Sequence, residues 1–225
     1  MIRLLKRILA TVEDVIWPER VYCLLCDERA DDGWLCESCS QRLSSIRLRG
    51  QTGSIRSAYN YVRDAEWMVK ELKFNNLRPA AKVLADGMAE EAKEMQLPPD
   101  TIVTWVDMPR RRMLERGVDH GRLLAAEVAE RLGLQALPLL RRIKRSKAQK
   151  RLTAKMRRSN LLGVFECTKE NIGAPVLLVD DVLTTGSTVG VCKEVLIGAG
   201  AKAVYAVTAT RVRPSKKRIE IDIHG

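Results

Sequence analysis

A short apolar stretch of the chain runs into two carboxylates and then into small polar residues. It reads VLLVDDVLTTGST over residues 176–188, with Asp180 and Asp181 after four apolar residues and Gly186 among threonines and a serine. A strand followed by the start of a helix would place unpaired N–H groups and the helix dipole where they favour an anion. The carboxylates would repel a phosphate, so we expect them to accept hydrogen bonds from hydroxyl groups of the same ligand. The stretch therefore predicts a site for a phosphorylated sugar.

The threonine and serine hydroxyls of this stretch would add donors without bulk, and a glycine would let the backbone approach the phosphate closely. The residues predicted to bind the ribose phosphate are Asp180, Asp181, Thr184, Thr185, Gly186, Ser187 and Thr188.

Three other interpretations fit this stretch less well. A P-loop requires a lysine after its second glycine, and none follows Gly186. The nearest pattern to a dinucleotide-binding loop, GAGAKA at residues 198–203, lies between a predicted helix and the following strand, so we interpret it as a helix cap. An acidic residue that only caps the next helix would explain one carboxylate and not two.

Four cysteines near the start of the chain have the spacing C-x2-C-x9-C-x2-C. Two such pairs can present four thiolates to one tetrahedral Zn²⁺, which makes a closed structural site. The predicted ligands of this zinc are Cys23, Cys26, Cys36 and Cys39. Few residues lie between them, so metal binding would supply most of the folding free energy of this module. Cys167 and Cys192 lie on a predicted strand and helix, where we expect buried apolar roles.

The excess positive charge of the chain is concentrated in its middle. The net charge is +11, and residues 101–163 account for all of it, since the remaining residues sum to zero. Between residues 141 and 158 there is no acidic residue, and the cations are Arg141, Arg142, Lys144, Arg145, Lys147, Lys150, Arg151, Lys155, Arg157 and Arg158. Such a run is either a solvated surface or a footprint for phosphates. It contains no aromatic residue, so we expect any contact with single-stranded DNA to involve the backbone without sequence preference.

The elements that must position these residues alternate between strands and helices. This order predicts an α/β fold with a parallel sheet flanked by helices, in which ligands bind beyond the carboxyl ends of the strands. Pro79 is expected to begin one helix and Gly133 to end another. We expect two parts: residues 1–50 with an N-terminal helix and the zinc module, and residues 51–225 with the sheet.

The first 16 residues have apolar side chains at helical spacing and several cations. An amphipathic helix of this kind either packs on the rest of the protein or lies on a membrane surface. No apolar run is long enough to cross a bilayer, so we expect a cytoplasmic protein, with peripheral docking at the inner face of the membrane left open.

The stretch LLVDDVLTTGST resembles the ribose-5-phosphate motif of type I phosphoribosyltransferases, which bind phosphoribosyl pyrophosphate with Mg²⁺. Together with the four cysteines, RRRMLERG at residues 110–117 and QKRLTAKMRRSNLLGVF at residues 149–165, the chain resembles the ComF family, specifically its ComFC type. The resemblance implies a phosphoribosyltransferase fold in which Asp180 and Asp181 are catalytic. It also implies that Arg112, Arg116 and Gly117 bind the diphosphate, and that residues 141–158 occupy the place of the flexible loop over the ligand.

One departure from the family pattern concerns the diphosphate loop. Where relatives tend to read R-G-F-N-Q, this chain continues from Gly117 with Val118, Asp119 and His120, which adds a negative charge beside the expected diphosphate. His120 is the only histidine near the predicted site, and a structural role and a catalytic role remain equally open for it.

The ComF resemblance implies a role in DNA uptake during natural competence, with a helicase-like ATPase of the same pathway as a partner. Two functions follow. The chain either binds phosphoribosyl pyrophosphate and single-stranded DNA during import, or it is an active phosphoribosyltransferase of nucleotide metabolism whose acceptor the sequence does not identify.

Overall fold

A parallel sheet with helices on both faces forms the centre of the protein. The computed structural model describes residues 22–30, 33–143 and 163–213. In chain order its elements are α1 (Glu37–Ser45), β1 (Ile55–Asn60), α2 (Arg63–Phe74), α3 (Arg78–Lys93), β2 (Ile102–Trp105), α4 (Arg110–Arg116), α5 (His120–Leu132), β3 (Gln135–Ala136), β4 (Leu140–Arg142), β5 (Phe165–Cys167), β6 (Val176–Leu183), α6 (Ser187–Gly198) and β7 (Val204–Arg211).

The sheet has five strands in the order β1-β7-β6-β2-β3, and every neighbouring pair is parallel. This confirms the predicted fold class. The carboxyl ends of parallel strands lie at one edge of a sheet, so the segments that follow β1, β2 and β6 meet there. Asp180 and Asp181 lie on β6, which has β7 on one side and β2 on the other.

The two faces of the sheet carry separate apolar cores because side chains alternate along each strand. On β6, Leu177 and Val179 belong to a core that includes residues of α2, α3 and α5. Val176 and Leu178 point the other way, into a core that includes residues of α6, β4 and β5. All four side chains are fully buried, which explains why this strand reads as an uninterrupted apolar run.

The cysteine-containing segment packs against the first of these cores. Leu24 and Leu43 are buried within it. The Nε atom of Arg42 on α1 lies 2.5 Å from Oδ2 of Asp64 on α2. Arg47, just after α1, forms an ion pair with Glu90 on α3. These contacts join the two sides of the domain boundary expected near residue 50, and that boundary remains a prediction.

Several elements differ from the sequence-based expectations. Helix α2 was not predicted. The predicted strand that carries Cys167 is only Phe165–Cys167, and it pairs with β4 in a separate antiparallel two-stranded sheet. Arg112 and Arg116 lie on the seven-residue helix α4, where the family resemblance had implied a diphosphate loop. The expected N-terminal helix and most of the basic segment fall outside the described residues.

Among the residues that the structure describes, no helix is long and apolar enough to cross a membrane.

Candidate functional site at the carboxyl edge of the sheet

The two adjacent carboxylates of β6 have different surroundings. Asp181 is buried, with both of its oxygen atoms occupied: Nζ of Lys73 donates to Oδ1 at 2.7 Å, and Nε2 of His120 lies 3.0 Å from Oδ2. Its backbone carbonyl accepts a hydrogen bond from the hydroxyl of Thr210 on β7. Asp180 is only partly buried, and its Oδ1 accepts the backbone N–H of Asp181 at 2.9 Å. The site therefore presents one engaged acid and one available acid.

The partners of Asp181 come from the two helices that reach the carboxyl edge of the sheet. Lys73 lies in the last turn of α2, and His120 is the first residue of α5. Burial acts to raise the pKa of Asp181, but the hydrogen bond from His120 and the charge of Lys73 outweigh burial and lower this pKa. Asp181 is therefore a carboxylate at neutral pH.

Asp180 experiences the opposite balance. Burial and the negative charge of Asp181 raise the pKa of Asp180 to about 7, although the N–H of Asp181 and the charge of Lys73 act against this. Two neighbouring acids whose pKa values are driven apart are a common arrangement in sites that handle charge or protons. At neutral pH, Asp180 is the member of the pair that can change its protonation when a cation or a ligand hydroxyl arrives.

The carboxylate of Asp119, the residue that departs from the family pattern, accepts two hydrogen bonds from within the protein. Its Oδ1 accepts the backbone N–H of Arg122 at 3.1 Å, so Asp119 is the N-cap of α5. Its Oδ2 accepts Nε1–H of Trp105 at 3.1 Å, which ties the end of β2 to the start of α5. This carboxylate thereby fixes the helix that places His120.

His120 is buried and joins Asp181 to the diphosphate half of the predicted site. Nε2 of His120 lies 3.5 Å from Nη1 of Arg116 as well as 3.0 Å from Asp181. Its Nδ1 is buried and has no hydrogen-bond partner among the described residues. The imidazole is thus fixed through one nitrogen only.

The turn after β6 carries the residues predicted to bind a phosphate, and that role remains a prediction. Gly186 has φ of 72°, a left-handed conformation that favours glycine, and it is the N-cap of α6. Among the described residues no side chain caps this helix, so its first amide groups are not occupied in that way. The hydroxyls of Thr185 and Ser187 lie 2.9 Å apart beside these amides.

The predicted diphosphate residues lie on α4 and at its end. Arg112 is exposed and Arg116 is half-buried. Gly117 ends the helix with φ of 70°, and its N–H donates to the carbonyl of Met113 at 2.9 Å. Burial lowers the pKa of Arg116, and the charge of Arg112 lowers it further. The guanidinium of Arg116 lies 5.1 Å from the ring centroid of Phe74 at the end of α2.

Only the first two cations of the basic segment fall within the described residues. Arg141 on β4 forms an ion pair with Glu166 on β5. The backbone N–H of Arg142 donates to Oδ2 of Asp107 at 2.7 Å, and its guanidinium lies 5.2 Å from the centroid of the Phe165 ring. The described part of the basic segment therefore lies next to Asp107, just after β2.

The four clustered cysteines have the geometry of a metal site. Their Sγ atoms all lie within 4.8 Å of one another, and those of Cys26 and Cys36 are 3.6 Å apart. Four sulfurs at 2.3 Å from one tetrahedral zinc would be about 3.8 Å apart. Burial acts to raise the pKa of Cys23, but backbone N–H groups, including that of Leu25, outweigh it and lower this pKa to about 7. The cluster can hold a metal ion.

Lys73 is the functional residue that the sequence interpretation missed. The segment RDAEWMVKELKF has buried residues at helical spacing (Ala65, Met68, Val69 and Leu72), so a helix could have been predicted there. Nothing in the local sequence signals that its lysine meets an aspartate 108 residues later.

Comparisons with known proteins identify the domain and its relatives. The family model described as the phosphoribosyl transferase domain matches residues 118–224. The chain is 32% identical to the DNA utilization protein YhgH of Salmonella typhi over 154 residues, which cover 66% of this chain and 67% of that protein. It is 25% identical to competence protein F of Haemophilus influenzae over 199 residues, covering 76% of this chain and 87% of that protein.

Among solved structures, adenine phosphoribosyltransferase from Leishmania tarentolae aligns with 60% of this chain and 59% of its own, at 20% identity and a TM-score of 0.36.

Proposed function

This chain belongs to the family of competence protein F and the DNA utilization protein YhgH, and from that membership we propose that it binds phosphoribosyl pyrophosphate with Mg²⁺ and acts in DNA uptake, where it contacts single-stranded DNA. A helicase-like ATPase of the same pathway is the proposed protein partner. None of the six cysteines, all of which lie in the described residues, is in a disulfide, and this fits the proposed cytoplasmic location.

One observation carries the ligand assignment: a partly exposed acid and an uncapped helix start face the same edge of the sheet. Asp180 accepts ribose hydroxyls, and the amides of residues 186–188 hold the 5-phosphate. Arg112 and Arg116 neutralise the diphosphate. Mg²⁺ prefers oxygen ligands and keeps several waters, so the oxygens of the ligand itself would hold it with little direct help from the chain, and it would neutralise charge on the diphosphate.

The contacts of Asp181 indicate a positioning role for this residue, in contrast to the ligand-binding role of Asp180. Because Lys73 and His120 occupy both of its oxygens, Asp181 fixes the two helices around the ligand. It also supplies a permanent negative charge next to Asp180. The original expectation that both acids bind ribose hydroxyls remains a prediction, and Asp181 would meet it with the lone pairs that Lys73 and His120 leave open.

The four-cysteine cluster holds a structural Zn²⁺ in this proposal. All four ligand atoms are thiols, the set that tetrahedral zinc prefers, and their separations fit the ion. Zinc there fixes residues 22–39 against the core through Leu24.

Titration of phosphoribosyl pyrophosphate with Mg²⁺, followed by calorimetry, tests the ligand site. We expect binding by the wild type and loss of binding in Asp180→Ala and in the Asp180→Ala/Asp181→Ala double variant. Asp100→Ala is the matched control, because Asp100 is an exposed acid just before β2 at the opposite edge of the sheet. Equal binding by Asp180→Ala and wild type would end the assignment.

Salt dependence tests the contact with single-stranded DNA. If the basic segment neutralises about four phosphates, the logarithm of the affinity falls against the logarithm of salt concentration with a slope of about −3. A flat dependence contradicts the contact.

An active transferase with an unidentified acceptor is the second candidate. The observation that favours it is the ionised Asp181 beside Asp180, since a fixed negative charge stabilises the oxocarbenium character that develops as diphosphate leaves. Diphosphate release on screening bases and amines tests it, and no release with any acceptor argues for a binding protein.

A further inference from the structure

An exposed aromatic ring lies at the rim of the proposed ligand site. Phe74 ends α2 and remains 68% exposed. The residue before it, Lys73, donates to Asp181, so the ring is adjacent in the chain to the innermost part of the site. Single exposed apolar residues are common on protein surfaces and need no function. What distinguishes Phe74 is its charged neighbourhood.

Arg116 couples this ring to the diphosphate half of the site. Its guanidinium lies 5.1 Å from the ring centroid of Phe74, and its Nη1 lies 3.5 Å from Nε2 of His120. A guanidinium at this distance holds an aromatic ring in place and adds positive charge beside it. Most of the ring surface is still open to a second planar group.

Further cations lie on the elements that follow this ring in the chain. Arg112 precedes Arg116 by four residues, so the two lie on the same face of α4. Arg141 and Arg142 on β4 begin the basic segment.

We propose that Phe74, held by Arg116, stacks an unpaired base of single-stranded DNA, while the phosphates of the strand follow α4 and β4. This inference rests on the single-strand contact in the proposed function and adds a stacking contact to it. Single-strand binders combine a cationic track with aromatic rings in this way. In a duplex the base faces are covered by their neighbours, so the ring selects unpaired strands. The sequence had suggested contacts with the backbone alone, because no aromatic residue lies between residues 141 and 158.

Two oligonucleotide probes separate stacking from phosphate contacts. One is a thymidine oligonucleotide of about 12 nucleotides, a length that single-strand binding sites span. The other is an abasic deoxyribose-phosphate strand of the same length. Phe74→Ala is expected to weaken binding of the thymidine strand by roughly fivefold or more and to leave the abasic strand unchanged. Phe74→Trp is expected to keep the wild-type affinity.

Ile197→Ala is the matched control for losing an exposed apolar side chain. Ile197 is 46% exposed and lies ten residues after Ser187 on α6, about 15 Å along the helix from the proposed phosphate site. It should bind both strands like the wild type. Because Phe74→Ala removes no phosphate contact, its salt slope should equal that of the wild type, whereas Arg116→Ala should reduce the slope by about one.

Each remaining outcome overturns the inference in a recognisable way. If Phe74→Ala binds the thymidine strand as tightly as the wild type, the stacking contact is wrong and the phosphate contact survives. If the wild type binds neither strand, the DNA contact of the proposed function fails with it, and the phosphoribosyl pyrophosphate titration is unaffected. If Phe74→Ala weakens binding of adenosine monophosphate relative to ribose 5-phosphate and leaves strand binding unchanged, the ring serves free nucleotides and the single-strand assignment is wrong.

Discussion

The cysteine cluster and the acidic site are built from the chain in opposite ways. All four thiols come from residues 23–39, and their sulfur atoms approach one another within that one segment. The site around Asp180 and Asp181 instead combines residues of α2, α5, β6 and β7. The cysteine cluster therefore depends on residue spacing within one segment. The acidic site forms only when the sheet brings distant segments together.

This difference concerns what holds each region together. The cysteine cluster has a very small apolar core of its own, in which Cys23, Ala30 and Cys39 are the buried members. The acidic site lies at the carboxyl edge of the sheet, where Lys73 and His120 hold Asp181. We therefore expect the first region to depend on metal and the second on the complementarity of its buried charges.

Metal removal should produce the largest effect, and it should be confined to one region. A chelator, or Cys39→Ser, is expected to unfold residues 22–45, because structural zinc supplies about 10 kcal/mol or more of folding free energy to such modules. The measurement is hydrogen exchange across the whole chain, with bound zinc counted in parallel. Exchange should rise in the cysteine segment and α1 and stay slow in β6.

Cys167→Ser is the control, since Cys167 is a half-buried free thiol on β5, away from the cluster. It should retain the metal. If chelation also opened β6, the two regions would share one cooperative unit, and the proposed independence of the sheet would be wrong.

The same contrast explains how much the sequence could predict. The parallel α/β fold and the grouping of the four cysteines follow from patterns within a few tens of residues, and the ribose-phosphate stretch is a prediction of the same local kind. Lys73 could not be found in this way, because its pairing with Asp181 depends on the strand order β1-β7-β6 and on where α2 ends. The sequence placed the charge of Asp119 beside the expected diphosphate. Its hydrogen bond to Trp105 could not be predicted, because it forms only when the fold brings β2 and α5 together.

Breaking the buried ion pair tests the acidic site directly. Lys73→Met leaves Asp181 with one partner in a buried position, and losing one member of such a pair costs about 3–5 kcal/mol of unfolding free energy. Urea unfolding measures the loss. Lys70→Met is a matched control on the same helix, because Lys70 pairs with Glu66 at the exposed surface, where such a pair contributes little to stability. Equal costs for the two variants would contradict a buried, fold-dependent site.

The pH dependence of stability should distinguish the two acids. The pKa of Asp180 is raised to about 7 in the folded protein, so unfolding releases its proton between about pH 4 and pH 7 and its contribution to stability falls as pH rises through that window. The pKa of Asp181 is lowered, so its contribution is present above its unfolded pKa of about 4 and is lost as pH falls through its folded value.

Asp180→Asn should therefore stabilise the protein most above pH 7, by on the order of 2 kcal/mol, and change little near pH 4. Thermal unfolding at about pH 4 and about pH 8, at the two ends of this window, measures the difference. Asp100→Asn controls for the charge change at an exposed position. A constant difference between Asp180→Asn and wild type across this range would show that the environment of Asp180 is ordinary.

The smallest effect tests whether Asp119 belongs to the fold or to the ligand. Asp119→Ala removes the N-cap of α5 and the acceptor of Trp105, at a cost of about 1–2 kcal/mol. Asp119→Asn keeps a side-chain oxygen for the cap while removing the charge, so most of the stability should remain. If the carboxylate is committed to the helix, Asp119→Asn binds phosphoribosyl pyrophosphate like the wild type. A gain in affinity on removing this charge would instead place Asp119 against the diphosphate. Its carboxylate would then repel the ligand, and it would not be the cap that positions His120.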